Sequence, residues 1–143
     1  MPLPASVTTA RTTVVADFLR AAGWDDAEET GYPLIEGTEI ITSPDQAVFI
    51  APVGGPGYVT EEGSADAWAM QLRVRGPADD HAAAMAAAQA LDWLILNAAY
   101  PAAADGVSIR AASRMGSAPA ELPLDPDDRR FEFTCSYIFV TGA

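Results

Sequence analysis

Lysine is absent from this chain, and cysteine and histidine occur only once each, as Cys135 and His81. A single cysteine excludes an intrachain disulfide, so we expect folding in a reducing compartment. With one histidine and one cysteine, a zinc site would need carboxylates for most of its ligands, which is unusual. We therefore predict no metal site and no cofactor.

Positive charge is scarce as well. The eight basic residues are all arginines and stand against twenty acidic ones, which gives a formal net charge of −12 at pH 7. Such a surface repels phosphate backbones, so specific nucleic-acid binding is disfavoured. One explanation of the acidity is that it only keeps the protein soluble. The other is that part of it lines a lumen through which DNA slides without sticking. Both explanations stay open.

Long hydrophobic runs are also missing. The longest apolar stretch, residues 82–100, is interrupted by Gln89, Asp92 and Asn97, and about half of it is alanine. The first residues lack the basic start and apolar core of a signal peptide. No export signal and no membrane association are expected.

What the chain does have is enough apolar residues for a core. Its 143 residues are half hydrophobic, which predicts one domain over residues 1–143 that folds without disulfides or metals. Two segments alternate with the two-residue period of a strand that buries one face, residues 67–75 and residues 131–140. In the second segment Cys135 shares a face with the aromatic residues, so we expect a buried, unreactive thiol.

Helical and other strand patterns flank these two segments. A three- and four-residue spacing predicts a helix over residues 7–22 that ends at Gly23, and an alanine-rich helix opens at Pro77 and ends near Tyr100. Further strands are predicted over residues 46–53 and 107–116. Residues 24–45 are expected to form a long surface loop with an edge strand at residues 39–42. These patterns predict an α+β fold with a four-stranded, mixed or antiparallel sheet and two helices packed on one face.

The order of these segments resembles a known family. The strand AWAMQLRVRG, the alanine-rich helix, the strand VSIRAASRMG, the loop APAELPLDPDDR and the last strand RFEFTCSYIFV follow one another as in the tail terminator and minor tail proteins of siphovirus-like bacteriophages. The resemblance covers about half of the chain.

This resemblance implies a structural protein of the virion that is assembled in the host cytoplasm. Proteins of that family form a ring, usually a homohexamer, on the last tail-tube ring at the head-proximal end of the tail. The ring stops tube growth and offers a surface to the head–tail connector protein. The implied partners are therefore further copies of the chain, the tail-tube protein and the connector protein, with DNA passing through the lumen unbound.

Two sets of residues are candidates for the interface with other subunits. One is a glycine-rich segment whose apolar residues stand in a polar context, and the other is a group of arginines that alternate along two strands, so that each pair is expected to share a face. A plain hairpin loop and solubilising arginines are the alternatives that stay open. The candidates are Gly54, Gly55, Gly57, Tyr58, Val59, Arg73, Arg75, Arg110 and Arg114.

No catalytic constellation emerges from the sequence. The cluster Asp79, Asp80 and His81 lacks helical metal-ligand spacing and is better explained as charge at a helix N-terminus. The glycines at 54–57 lack the Lys-Ser/Thr of a phosphate-binding loop, and the aspartates at 125, 127 and 128 lack the glycine and glutamate of a calcium loop. We expect no enzymatic activity. A head–tail connector component or a tail-tube subunit is the nearer alternative function, and a small ligand-binding or enzymatic domain is the more distant one.

Overall fold

The computed structural model describes residues 10–37, 46–53, 65–124 and 129–142. Within these ranges the chain forms two helices, α1 (Arg11–Ala21) and α2 (His81–Asn97). The strands, in chain order, are β1 (Leu34–Glu36), β2 (Ala47–Pro52), β3 (Ala65–Ala78), β4 (Ala102–Ala104), β5 (Val107–Arg114), β6 (Ala120–Glu121) and β7 (Arg130–Gly142).

The prediction of a four-stranded sheet is wrong. The described strands form one mixed, seven-stranded sheet in the order β1-β2-β3-β7-β5-β4, with β6 paired to β7 beside this path. The pairing is antiparallel throughout except between β1 and β2, which are parallel. The four predicted strands are β2, β3, β5 and β7. The three missed strands have only two or three residues each, too few to show an alternating pattern.

The sheet curls into a half-barrel around its core. Helix α1 contacts β1 and β2 near one end of the strand order and β4 at the other end, which a flat sheet of this width would not allow. Helix α2 lies over the middle strands β3, β7 and β5. The two helices therefore close the concave side of the sheet. No helix in the described ranges is long and apolar enough to cross a membrane.

The core lies between the helices and the inward faces of β3 and β7. These two strands pair along almost their whole length, and their register places Trp68 opposite Phe139 and Val74 opposite Phe133 on the inward side. The alternation predicted for both strands is confirmed. The inward residues of these strands that are buried are Trp68, Met70, Leu72, Val74, Phe133, Tyr137 and Phe139. The half-buried Phe131 and Cys135 pack against them.

Helix α1 ends as the sequence predicts. Gly23 has a φ of +105°, the left-handed conformation that glycine adopts most readily. Its N–H donates to the carbonyl of Arg20, and the next N–H, of Trp24, donates to the carbonyl of Leu19 at 3.0 Å. This pair of bonds is the Schellman motif, which satisfies two carbonyls at the helix end. Residues 7–9 of the predicted helix lie outside the described residues.

Helix α2 begins later than the sequence indicated, because Pro77 belongs to the end of β3 rather than to the first helical turn. The helix starts at His81, and the Asp80 carboxylate caps it by accepting the N–H of Ala83 at 3.0 Å. Gly76 lies directly under the helix, where a β-carbon would come within 2.5 Å of the Cβ of Ala84. The glycine therefore sets how closely α2 approaches the sheet. The helix ends at Asn97 and not near Tyr100.

Residues 24–33 form a surface loop, as predicted, whereas residues 34–36 of the predicted loop form β1. Hydrogen bonds hold the loop to the rest of the fold. The Trp24 indole N–H donates to the carbonyl of Tyr32 at 3.0 Å, and the Tyr32 hydroxyl donates to the carbonyl of Ala83 on α2 at 3.3 Å. The Asp25 side chain accepts the N–H of Ala27 and so closes the turn between them. This segment then continues into β1. The edge strand predicted at residues 39–42 lies outside the described residues.

Candidate assembly surface

Arg73 and Arg75 share one face of β3, as predicted, and both engage groups of their own chain. The Arg73 Nε donates to the Glu132 carboxylate of β7 at 2.8 Å. Arg75 is only 1% exposed, and its guanidinium lies 5.1 Å from the ring centre of Phe49 on β2. Both guanidinium groups therefore contact side chains of neighbouring strands on the outer face of the sheet. Whether the pair also faces another subunit stays a prediction.

Arg110 and Arg114 do not share a face, because β5 has a bulge between Ile109 and Ala111. The bulge leaves Arg110 as the extra residue, exposed on the outer side, where its guanidinium lies over Gly142. Beyond the bulge, Arg114 pairs with Tyr137 on the core side. The prediction that each arginine pair occupies one face therefore fails for this pair.

On the core side, Arg114 belongs to a polar contact between the sheet and α2. The Asp92 carboxylate of α2 accepts the hydroxyl of Tyr137 at 2.8 Å and lies 3.4 Å from the Nε of Arg114. Burial raises the pKa of Tyr137 above its ordinary value, and hydrogen bonds to Cys135 and Asp92 raise it further. The phenol therefore stays protonated and donates to the carboxylate. Burial also raises the pKa of the half-buried Cys135 thiol.

Within the cluster at the start of α2, Asp80 serves the helix terminus, as the sequence indicated, and its two neighbours pair with other residues. Asp80 caps the helix, Asp79 forms an ion pair with Arg129, and the His81 Nε2 lies 3.0 Å from a Glu121 carboxylate oxygen on β6. Across the described ranges, no group of three or more histidine, cysteine, aspartate or glutamate side chains could hold a metal ion. The aspartates at 125, 127 and 128 lie outside those ranges.

The glycine-rich candidates also fall outside the described residues. These are Gly54, Gly55, Gly57, Tyr58 and Val59, which follow the end of β2. Their role at an interface stays a prediction.

The outward face of α2 is a surface that the sequence analysis missed. Its exposed residues carry no charge, although the chain as a whole is strongly acidic. Trp93 is 66% exposed and Met85 is 38% exposed. The exposed residues of this face are Ala82, Met85, Ala86, Gln89, Ala90, Trp93 and Asn97. The sequence did contain a signal for this surface. Helix α2 has apolar residues on every side, and a helix of this kind is normally covered on every side.

Beside Trp93 an apolar groove opens between the C-terminal ends of α1 and α2, with β4 as its floor. Its volume is about 500 Å³, and no charged side chain lines it. Phe18 in the groove stacks on Tyr100 at 5.8 Å between ring centres, which fixes one wall. The lining residues are Phe18, Ala21, Ala22, Trp93, Leu94, Asn97, Ala98, Ala99, Ala102 and Ala103. An exposed apolar concavity of this kind is typical of binding surfaces.

Comparisons with known proteins bear on the fold of this chain. No protein-family model matches the chain, and no curated protein matches it. Among solved structures, the chain is similar to one in a structure described as "Virion of native gene transfer agent (GTA) particle", with a TM-score of 0.62 and 17% sequence identity. The match covers 96% of this chain and 98% of that chain. At this identity the likeness shows a shared fold, which extends over nearly the full length of both chains.

Proposed function

We propose that this protein is a structural component of a phage-like virion and, within that particle, the tail terminator. In this role six copies form a ring on the last tail-tube ring, at the head-proximal end of the tail, after synthesis in the host cytoplasm. The observation that carries the proposal is the fold shared with a chain of a gene transfer agent virion, because it spans 96% of one chain and 98% of the other. The order of strand and helix motifs in the sequence supports the same assignment.

The mechanism is a closed ring with two chemically different ends. Neighbouring copies meet through two different patches, and a head-to-tail contact of this kind closes into a ring when its rotation fits. One end of the ring copies the stacking surface of the tube, and the other end lacks that surface. Tube polymerisation then stops, and the connector protein binds the free end.

The charge of the chain suits a ring around DNA. Six copies of a chain with a net charge of −12 carry −72 formally. Carboxylates that line the lumen repel the phosphate backbone, so DNA passes through without a specific binding site.

The role that we propose is structural and not enzymatic. The ionisable residues support this proposal, because several of them form contacts that hold the fold together. Asp92 connects α2 to Tyr137 and Arg114, and Arg73 is bound to Glu132. Each of these contacts joins one element of the fold to another.

The predicted interface remains part of the proposal. It comprises Gly54, Gly55, Gly57, Tyr58, Val59, Arg73, Arg75, Arg110 and Arg114. Among the four arginines, Arg110 is the strongest candidate for a contact with an acidic neighbour, because it is exposed whereas Arg73 and Arg114 are engaged within the chain and Arg75 is buried.

Deletion of this chain from a particle-producing cell tests the function. A terminator that is lost leaves tubes that grow past their normal length and do not join heads, and expression in trans of the intact chain restores normal particles. Tubes of normal length without heads would instead indicate a connector component. The absence of tubes would indicate a tube subunit, and unchanged particles would contradict the whole proposal.

A further inference from the structure

We infer that the groove between α1 and α2 receives residues 54–64 of a neighbouring copy of this chain, with Tyr58 and Val59 as the apolar anchors. This inference rests on the proposed ring, because it names the contact by which one copy recognises the next. The groove is the acceptor, and the glycine-rich segment is the donor.

The acceptor is suited to an apolar occupant. The groove has a volume of about 500 Å³, its lining carries no charge, and Trp93 stands at its rim with 66% of its surface exposed. Aromatic residues that gain burial in this way contribute most of the binding energy at many interfaces. A tyrosine and a neighbouring valine supply the apolar area that such a groove requires.

Electrostatics favour this site for contact between copies. Two chains that each carry a net charge of −12 repel each other at most orientations. On α2, however, the one acidic residue is Asp92, and it is turned inward to Tyr137 and Arg114. The outward face of α2 and the groove beside it therefore let an acidic neighbour approach without bringing carboxylates together.

The length and composition of residues 54–64 suit this segment as the donor. Eleven residues separate Val53, which follows β2, from Ala65 at the start of β3. Extended, they span roughly 36 Å, so that their midpoint reaches about 18 Å from the ends of the two strands. Tyr58 and Val59 stand at that midpoint. The segment carries no basic residue that would need an acidic site.

Donor and acceptor lie on different parts of the sheet. The segment leaves the sheet between β2 and β3, whereas the groove lies over β4, the terminal strand on the opposite side. Strands β7 and β5 lie between them. Two different patches of one chain are what a head-to-tail contact requires, and crosslinking separates this contact from one within a single chain.

Cysteine crosslinking of the full-length chain tests this contact. Thr60→Cys, which leaves both anchors in place, and Ala99→Cys are combined in one chain in which Cys135 is replaced by serine, and the purified protein is oxidised at high concentration. We expect interchain disulfides in a ladder of oligomers that ends at a closed ring. The control replaces Ala99→Cys by Ala111→Cys, at an exposed alanine of β5 outside the groove. We expect on the order of tenfold less interchain product from it, because random encounters lack the effective concentration of a docked segment.

A second pair of variants tests the part played by Trp93. Adding Trp93→Ala to the crosslinking chain should remove most of the interchain product that exceeds the amount formed by the Ala111→Cys control. Adding Met115→Ala, at an exposed apolar residue that does not line the groove, should leave that excess in place. Unfolding midpoints measured for all variants separate loss of contact from loss of fold.

The outcomes distinguish this inference from the proposed function. A fast-migrating monomer with an intrachain disulfide, or no excess of interchain product over the control, overturns the groove contact. If native mass measurement or microscopy of the tail still finds a ring, the proposed function stands without it. A ladder that continues without closure supports the groove contact and contradicts the ring.

Discussion

The inward face of α2 carries the helix's one acidic residue, Asp92, whereas its outward face carries exposed alanines, Met85 and Trp93. A helix on the surface of a soluble protein usually has apolar residues inward and charges outward. The inward face of α2 follows this rule, because Ala84, Leu91 and Ile95 are buried there, but its outward face carries no charge. Contacts inside the chain explain the inward face, because Asp92 binds Tyr137 and Arg114 there. Nothing within the described residues explains the outward face. The first face stabilises the fold, and the second is the surface at which we propose that a neighbouring copy binds.

The largest effect is expected from a change in the core beneath α2. Phe139 is fully buried and contacts the rings of Phe18 and Tyr137. Phe139→Ala should lower the free energy of unfolding by roughly 3–5 kcal/mol, because it leaves a cavity that the curled sheet cannot close. Denaturant unfolding measures this loss.

Trp93→Ala is the matched control on the other face of the helix. Since Trp93 is mostly exposed, its truncation should change the free energy of unfolding by no more than about 0.5 kcal/mol. If Trp93→Ala destabilised the monomer as much as Phe139→Ala does, the contrast between the two faces would be wrong.

A smaller effect is expected from the polar contact on the inward face. Asp92→Ala removes the acceptor of the Tyr137 hydroxyl and the ionic partner of Arg114. The free energy of unfolding should fall by about 1–3 kcal/mol, because the buried Tyr137 hydroxyl and the partly buried Arg114 both lose their partner. Glu28→Ala makes the same charge change at an exposed site and should have an effect within about 0.5 kcal/mol. Equal effects of the two variants would show that Asp92 acts only through net charge.

Thiol labelling compares the two faces kinetically. Cys135 is half-buried on the core side, and burial raises its pKa, so less of it is thiolate at a given pH. A cysteine placed on the outward face, Ala90→Cys in a chain with Cys135→Ser, should label on the order of tenfold faster at pH 8. The labelling rate of Cys135 should rise with pH, along a curve that lies at higher pH than that of the exposed cysteine. Faster labelling of Cys135 would place the inward face of β7 at the surface.

A small effect on the monomer is expected from replacing the proposed donor segment. Replacing residues 54–64 by a short glycine-serine linker should change the free energy of unfolding by less than about 1 kcal/mol, because loop length affects stability only weakly. The same change should prevent the crosslinking between copies and the formation of normal particles. Loss of folding in the isolated chain would show that the segment belongs to the core.

The sequence located the parts of the fold that have a long, regular pattern. β3 and β7 alternate strictly over many residues, and Gly23 ends α1 where a left-handed residue was expected. The sequence did not locate β4, because three alanines carry neither β-branched nor aromatic side chains and gain their pairing from β5. β1 was missed because it has only three residues and gains its pairing from the parallel neighbour β2.

The candidate surface was harder to predict than the core. A bulge at Arg110 reversed the alternation that placed it with Arg114, and a one-residue shift of this kind has no signal in the alternating pattern. The outward face of α2 was hidden because its alanines fit a buried helix as well as an exposed one. Only the depth at which Gly76 sets the helix against the sheet decides which alanines are covered.

Cryo-electron microscopy of the purified particle, at the junction between tail tube and head, tests the central claim most directly. We predict a ring of six copies of this chain on the last tube ring, with Trp93 and the outward face of α2 buried between neighbouring copies. A tail whose upper end holds no ring of this chain would contradict the proposed function.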